Sequence, residues 1–185
     1  MRPKLHIIGA LLHGVSVNLV VCNHDHPKDS SVMAEIVCYL LTRVGKTIRL
    51  QDHFVHLFSD NTVRETKNNT TLRLLASLTS HGVIKGGSLR NLRSGHSHED
   101  VDQLFGNAAQ FVIRHARHVE TPDQFVGVLQ QFCATAHRPN EKERVVVKLD
   151  QHRDWKLFTN SGTPFLAWVF VRAIQTNKKC FSRVW

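Results

Sequence analysis

No stretch of this chain approaches the roughly 18 consecutive apolar residues that a membrane-spanning helix needs. The longest run near the N-terminus, residues 5–12, already contains His6 and stops at His13-Gly14. Cysteine is scarce: Cys22, Cys38, Cys133 and Cys180 form neither a C-x-x-C pair nor a zinc-like spacing. Cys38 and Cys133 fall inside apolar helical patterns, where a buried free thiol is the ordinary outcome. No signal-peptide pattern follows Met1-Arg2-Pro3-Lys4. A reducing, nuclear or cytoplasmic setting is therefore expected, and the sequons at Asn68 and Asn69 read as chance matches. A nucleophile elbow and a P-loop are both lacking, since Gly86-Gly87 has no Lys-Ser/Thr after it. Acid is short as well, with 15 Asp and Glu against 24 Lys and Arg, a net charge of +9. Residues 66–98 carry none, yet hold Lys67, Arg73, Lys85, Arg90 and Arg93. Residues 155–185 carry none either, with Lys156, Arg172, Lys178, Lys179 and Arg183. A field of this sign favours polyanions, nucleic acid foremost.

What is present suits a folded domain. At 185 residues, 42% apolar and 21% charged, the chain can bury one core and lies outside the disordered, collagenous and coiled-coil classes. Two short apolar runs, residues 5–13 and 18–23, read as antiparallel strands joined by a tight connection. A helix capped at Ser30 or Ser31 follows, with Val32, Ile36, Tyr39, Leu40 and Val44 at helical spacing. Residues 53–58 are mostly apolar, as in a buried central strand, and lead into Ser59-Asp60-Asn61. A second helix is predicted over 70–80, facing inward through Leu72, Leu75, Ala76 and Thr79. Residues 89–92 read as a short strand. From Ser97 a helix carries the stripe Val101, Leu104, Phe105, Ala108 and Val112. Thr121-Pro122-Asp123-Gln124 is a capping box with proline at the first helical position. Strands are predicted again at 144–149 and 165–174. Such alternation points to an α/β layered domain over 1–138, with a small strand-rich extension at 139–185.

Two clusters could carry chemistry. The first runs from Asp60 to Asn68, dense in polar groups just after an apolar strand. Open α/β sheets place their sites at the carboxyl ends of strands, so Asp60 is positioned for a metal or substrate; an Asx turn explains it as well. The second is Gly95-His96-Ser97-His98-Glu99-Asp100-Val101-Asp102, with five metal- or proton-binding side chains in seven residues. His98 and Asp102 share a helix face. Carboxylates there suit Mg2+ or Mn2+, and added imidazole suits zinc or iron. A helix cap accounts for Ser97, Glu99 and Asp100 but leaves His96, His98 and Asp102 unexplained.

Residues 58–68 and 95–105 together resemble a eukaryotic domain family of transposon-derived proteins bearing DN-x-x-RE-x-KN and GHTHEDxDxxF motifs. Ser97 stands where that family has threonine, and the resemblance runs from about Arg2 to Asp154-Trp155. It implies a ribonuclease-H-like layered α/β fold with a mixed sheet, similar to integrases and cut-and-paste transposases. Enzymes of that kind hold two divalent ions about 4 Å apart to cleave phosphodiesters. By the resemblance, Asp60 is the fourth-strand acid and Asp102, or Glu99, the helical one, with Mg2+ or Mn2+ as the ions; in an active nuclease His96 and His98 would serve as replacement ligands. The family also has an Asp-bearing strand before the segment that begins here at Arg2, so this chain is expected to lack the first strand and its carboxylate. The leading expectation is a transposon-derived DNA-binding domain that does not cut by itself, contacting DNA through Arg64, Lys67, Lys85, Arg90 and Arg93. Two alternatives stand beside it: an active metal-dependent nuclease or transposase, and a host-adopted protein-interaction module. A homo-oligomer or a partner chain would complete the sheet.

Overall fold

The computed structural model describes residues 5–23, 29–59, 68–91, 99–135 and 143–160. These residues fall into two compact units, one built from 5–23, 99–135 and 143–150, the other from 29–59, 68–91 and 151–160. The architecture is α/β with a mixed sheet.

In the first unit, β1 (Leu5–Leu12) and β2 (Ser16–Asn23) form the expected antiparallel hairpin, registered Leu5 to Asn23 through Leu12 to Ser16. On its other side β2 pairs in parallel with β5 (Glu143–Leu149), giving the order β1-β2-β5. β5 falls within residues 139–185, and it is an integral member of this sheet. As the central strand, β2 is buried on both faces, through Ser16, Asn18, Val20 and Cys22 on one and Leu19 and Val21 on the other. The second of these faces packs on α3 (Glu99–His115) and α4 (Pro122–Thr135), where Leu104, Ala108, Leu129, Phe132 and Cys133 close over Leu19, Val21 and Val146. The predicted α3 stripe is the buried one. The capping box also forms: Gln124 N–H donates to Thr121 Oγ1 at 3.2 Å, and Gln124 Oε1 accepts from Thr121 N–H at 3.1 Å.

The second unit holds α1 (Ser30–Val44), β3 (Phe54–Ser59), α2 (Asn69–Ser80), β4 (Gly86–Asn91) and the short α5 (Trp155–Asn160). The cap of α1 is Asp29 rather than Ser30 or Ser31. Its Oδ1 accepts from the N–H groups of Ser31 at 2.9 Å and Val32 at 3.3 Å, the job an N-cap carboxylate does better than a hydroxyl one residue later. The inward face of α2 also differs from the prediction. Thr71, Leu74, Leu75 and Leu78 are buried, while Leu72 is half exposed and Ala76 and Thr79 are exposed. Leucines at 72, 74, 75 and 78 fit more than one helical face, and packing against β4 selects the one that contains Leu75 and Leu78.

One buried acid ties α1 to α5. Glu35, 2% exposed, accepts from Arg153 Nε and Nη2 at 2.9 and 2.7 Å and from Trp155 Nε1 at 2.7 Å. A carboxylate so deep in a core is tolerable only when its lone pairs are filled in this way.

Candidate nucleic-acid interface

β3 and β4 form a two-stranded parallel sheet with α2 as their crossover. Side chains alternate across a strand, so Phe54, His56 and Phe58 share one face with their β4 partners Gly86, Ser88 and Arg90. The opposite face includes Gly87, whose backbone lies against Leu75 of α2; a Cβ there would come within 3.0 Å of it. The helix therefore covers the side opposite Phe54, His56 and Phe58. Phe54 is 59% and Phe58 46% exposed. This is a correction to the buried central strand expected for residues 53–58: β4 is the one described strand that pairs with β3, and the apolar run hides a period of two.

The ring residues are held in place by their surroundings. The Phe54 ring lies on Gly86, where an added Cβ would be 2.5 Å from it, so β4 needs glycine at that point. His56 Nδ1 and Ser88 Oγ form a hydrogen-bonded pair at 2.7 Å, which fixes the imidazole. The Phe54 and His56 rings are nearly parallel, 6.4 Å between centroids and 11° between planes. Cations sit over both phenyl rings: Lys85 Nζ is 5.3 Å from the Phe54 centroid, and the Arg90 guanidinium 5.8 Å from that of Phe58. Lys85 precedes β4 and is anchored by its own N–H donating to His53 C=O at 3.0 Å. Neither cation forms an ion pair with a carboxylate among the described residues. Lys148 offers a contrast. Its hydrogen bond to Asp123, at 2.6 Å, raises its pKa above the usual lysine value despite partial desolvation, and Asp150 adds to the effect.

The family model for a domain of unknown function, DUF7869, matches residues 2–161. The chain belongs to the DUF7869 family. No curated protein and no solved structure matches it.

Of the site residues expected for this DUF7869 domain, Asp60, Arg64, Lys67, Arg93, His96 and His98 lie outside the described residues. Glu99 is the first residue of α3, and Asp102 is exposed in the first turn of that helix. Lys85 and Arg90 are both exposed and flank the same sheet face. Among the described residues, no group of three or more His, Cys, Asp or Glu side chains is placed to hold a metal ion. Nor do the described thiols offer a nucleophile. Burial pushes Cys22 up to about 11 and Cys38 well above the usual thiol value, and it raises Cys133 against a smaller opposing effect of Arg144. Phe54, His56 and Phe58 are the contributors that motif reading passed over. Their signal is the placement of ring residues at 54, 56 and 58, alternating with Val55 and Leu57.

Proposed function

We propose that this DUF7869 domain is a transposon-derived nucleic-acid-binding module of ribonuclease-H-like type that does not cleave DNA by itself. One observation carries the reading. Every described residue of the β3–α2–β4 segment, 53–59 and 68–91, is other than Asp or Glu, while Arg73, Lys85 and Arg90 are exposed upon it. Such a surface attracts phosphates, in a chain already at +9. An antiparallel hairpin followed by a parallel strand–helix–strand pair is also the order that the ribonuclease-H resemblance implies.

Fluorescence anisotropy of a labelled DNA duplex, titrated with protein at stepped salt, tests the reading. Affinity is expected to fall linearly on a log–log plot as salt rises. Supercoiled plasmid incubated with the protein and Mg2+ or Mn2+ is expected to stay intact. Absent binding at low salt contradicts the nucleic-acid assignment, and nicking contradicts the statement that the domain does not cut.

A further inference from the structure

We propose that the outer face of α3 is a duplex-DNA contact lying in the major groove, with Gln103, Asn107 and Gln110 toward base edges and Arg114 and Arg117 on phosphates. The inference rests on the nucleic-acid reading above and specifies its substrate. α3 buries Leu104 and Ala108 and packs Phe105, Phe111 and Val112 on the same core, so its other side faces solvent. Gln103, Asn107, Gln110 and Arg114, all exposed, follow at steps of four, three and four. They form one stripe about 16 Å long at 1.5 Å per residue. A solvent-facing helix side ordinarily carries charges of both signs, paired four apart. This one carries amides and arginine, and residues 103–119 include no Asp or Glu. The acids of α3 stand in its first turn, so the later turns are the part that meets DNA. Arg114 in the last turn and Arg117 just past it are exposed, and neither pairs with a carboxylate among the described residues. His115 between them is engaged elsewhere: its Nδ1 donates to Phe111 C=O at 2.9 Å, and its ring stacks on that of Phe111 at 4.0 Å between centroids. Two guanidinium charges exceed the half negative charge of a helix C-terminus, which leaves a surplus for phosphates.

Gly106 is an independent observation. It is exposed beside the stripe, and a Cβ there would meet nothing within 4 Å, so no contact within the chain requires glycine. Inside a helix glycine is the least favourable residue after proline, and close approach by a ligand is a use that offsets this cost. The major groove of B-DNA admits one helix, and there Asn and Gln pair with adenine while Arg takes guanine or a phosphate. The corresponding groove of an RNA duplex is too narrow for side chains to read. A lipid surface needs an apolar outer face, whereas the apolar residues of α3 belong to the core, Ile113 excepted.

The unaltered full chain is titrated against three labelled duplexes of one mixed sequence: DNA, DNA whose cytosines carry glucosylated 5-hydroxymethyl groups, and RNA. The sugars fill the major groove and leave the phosphates as they were. Glucosylation should cost at least about fivefold in affinity, the lower end of one base contact, and the RNA duplex should bind more weakly than DNA. The R114A/R117A variant should show a log–log salt slope shallower by roughly 2, while R114K/R117K keeps the parent slope. Gly106→Gln should raise the melting temperature and yet weaken binding of the unmodified DNA, a combination that a merely solvated helix face does not give. Duplex binding indifferent to glucosylation overturns the placement in the groove and leaves the general reading standing. Equal affinity for the RNA duplex, or an R114A/R117A slope equal to that of the parent, does the same. Binding of no duplex at low salt overturns both.

Discussion

Asp29 shows how much one side chain can be asked to do. It caps α1 through Oδ1, and Oδ2 accepts from Lys156 Nζ of α5 at 2.6 Å. Burial alone would raise this carboxyl. The hydrogen bond from Lys156, then those from the Val32 and Ser31 N–H groups, outweigh burial, so its pKa lies below the usual 3.8. A carboxyl whose folded pKa is depressed adds stability that is present above its unfolded pKa and is lost as pH falls through the folded value. Asn keeps the capping oxygen and removes the charge. Asp29→Asn should therefore lower the melting temperature at pH 7 by an amount equivalent to about 1 kcal/mol, and the gap should close as pH drops below about 3.8. Calorimetry across that pH range checks it, and a gap that persists into strong acid would place the effect elsewhere. Glu35, six residues further along in α1, does related work with Arg153 and Trp155. Neither partnership was legible in the sequence, because residues more than a hundred apart carry no local pattern that pairs them.

At the scale of elements, close approach between backbone and ring sets a testable limit. Gly9 of β1 lies under Phe105 of α3; a Cβ at Gly9 would sit 2.9 Å from the ring and 3.4 Å from Val101. Gly9→Ala should overpack this contact at a cost of about 1–3 kcal/mol, and adding Phe105→Leu should return part of it. Chemical denaturation of both variants decides the point: an unchanged midpoint for Gly9→Ala would mean that helix and strand are not in this contact. The elements themselves were largely legible. The hairpin, the α3 stripe, the Thr121–Gln124 box and the β5 strand follow from local periodicity and capping chemistry, which act over a few residues. Two elements were misread for a shared reason. The inward face of α2 and the exposure of β3 depend on what packs against them, and an apolar run has the same composition whether one face or both are covered. The candidate site inherited that error. Lys85 and Arg90 were found by charge, whereas the rings between them were assigned to the core.

Across the whole molecule the account turns on charge placed over an aromatic sheet face. Most basic proteins spread their cations over solvated surface. Here Arg73, Lys85 and Arg90 stand on a segment whose described residues include no acid, and two of the three sit over phenyl rings. Family membership over residues 2–161 shows which domain this is and is silent on its chemistry, so the assignment depends on measured binding. The most direct test compares the salt dependence of duplex binding for the parent chain and the K85E/R90E variant, after circular dichroism has shown both to be folded. Each lost phosphate contact lessens the log–log slope by about 0.9, so the variant should bind more weakly at low salt with a slope shallower by roughly 2. A variant whose affinity and slope match those of the parent would contradict the claim that this face meets the nucleic acid.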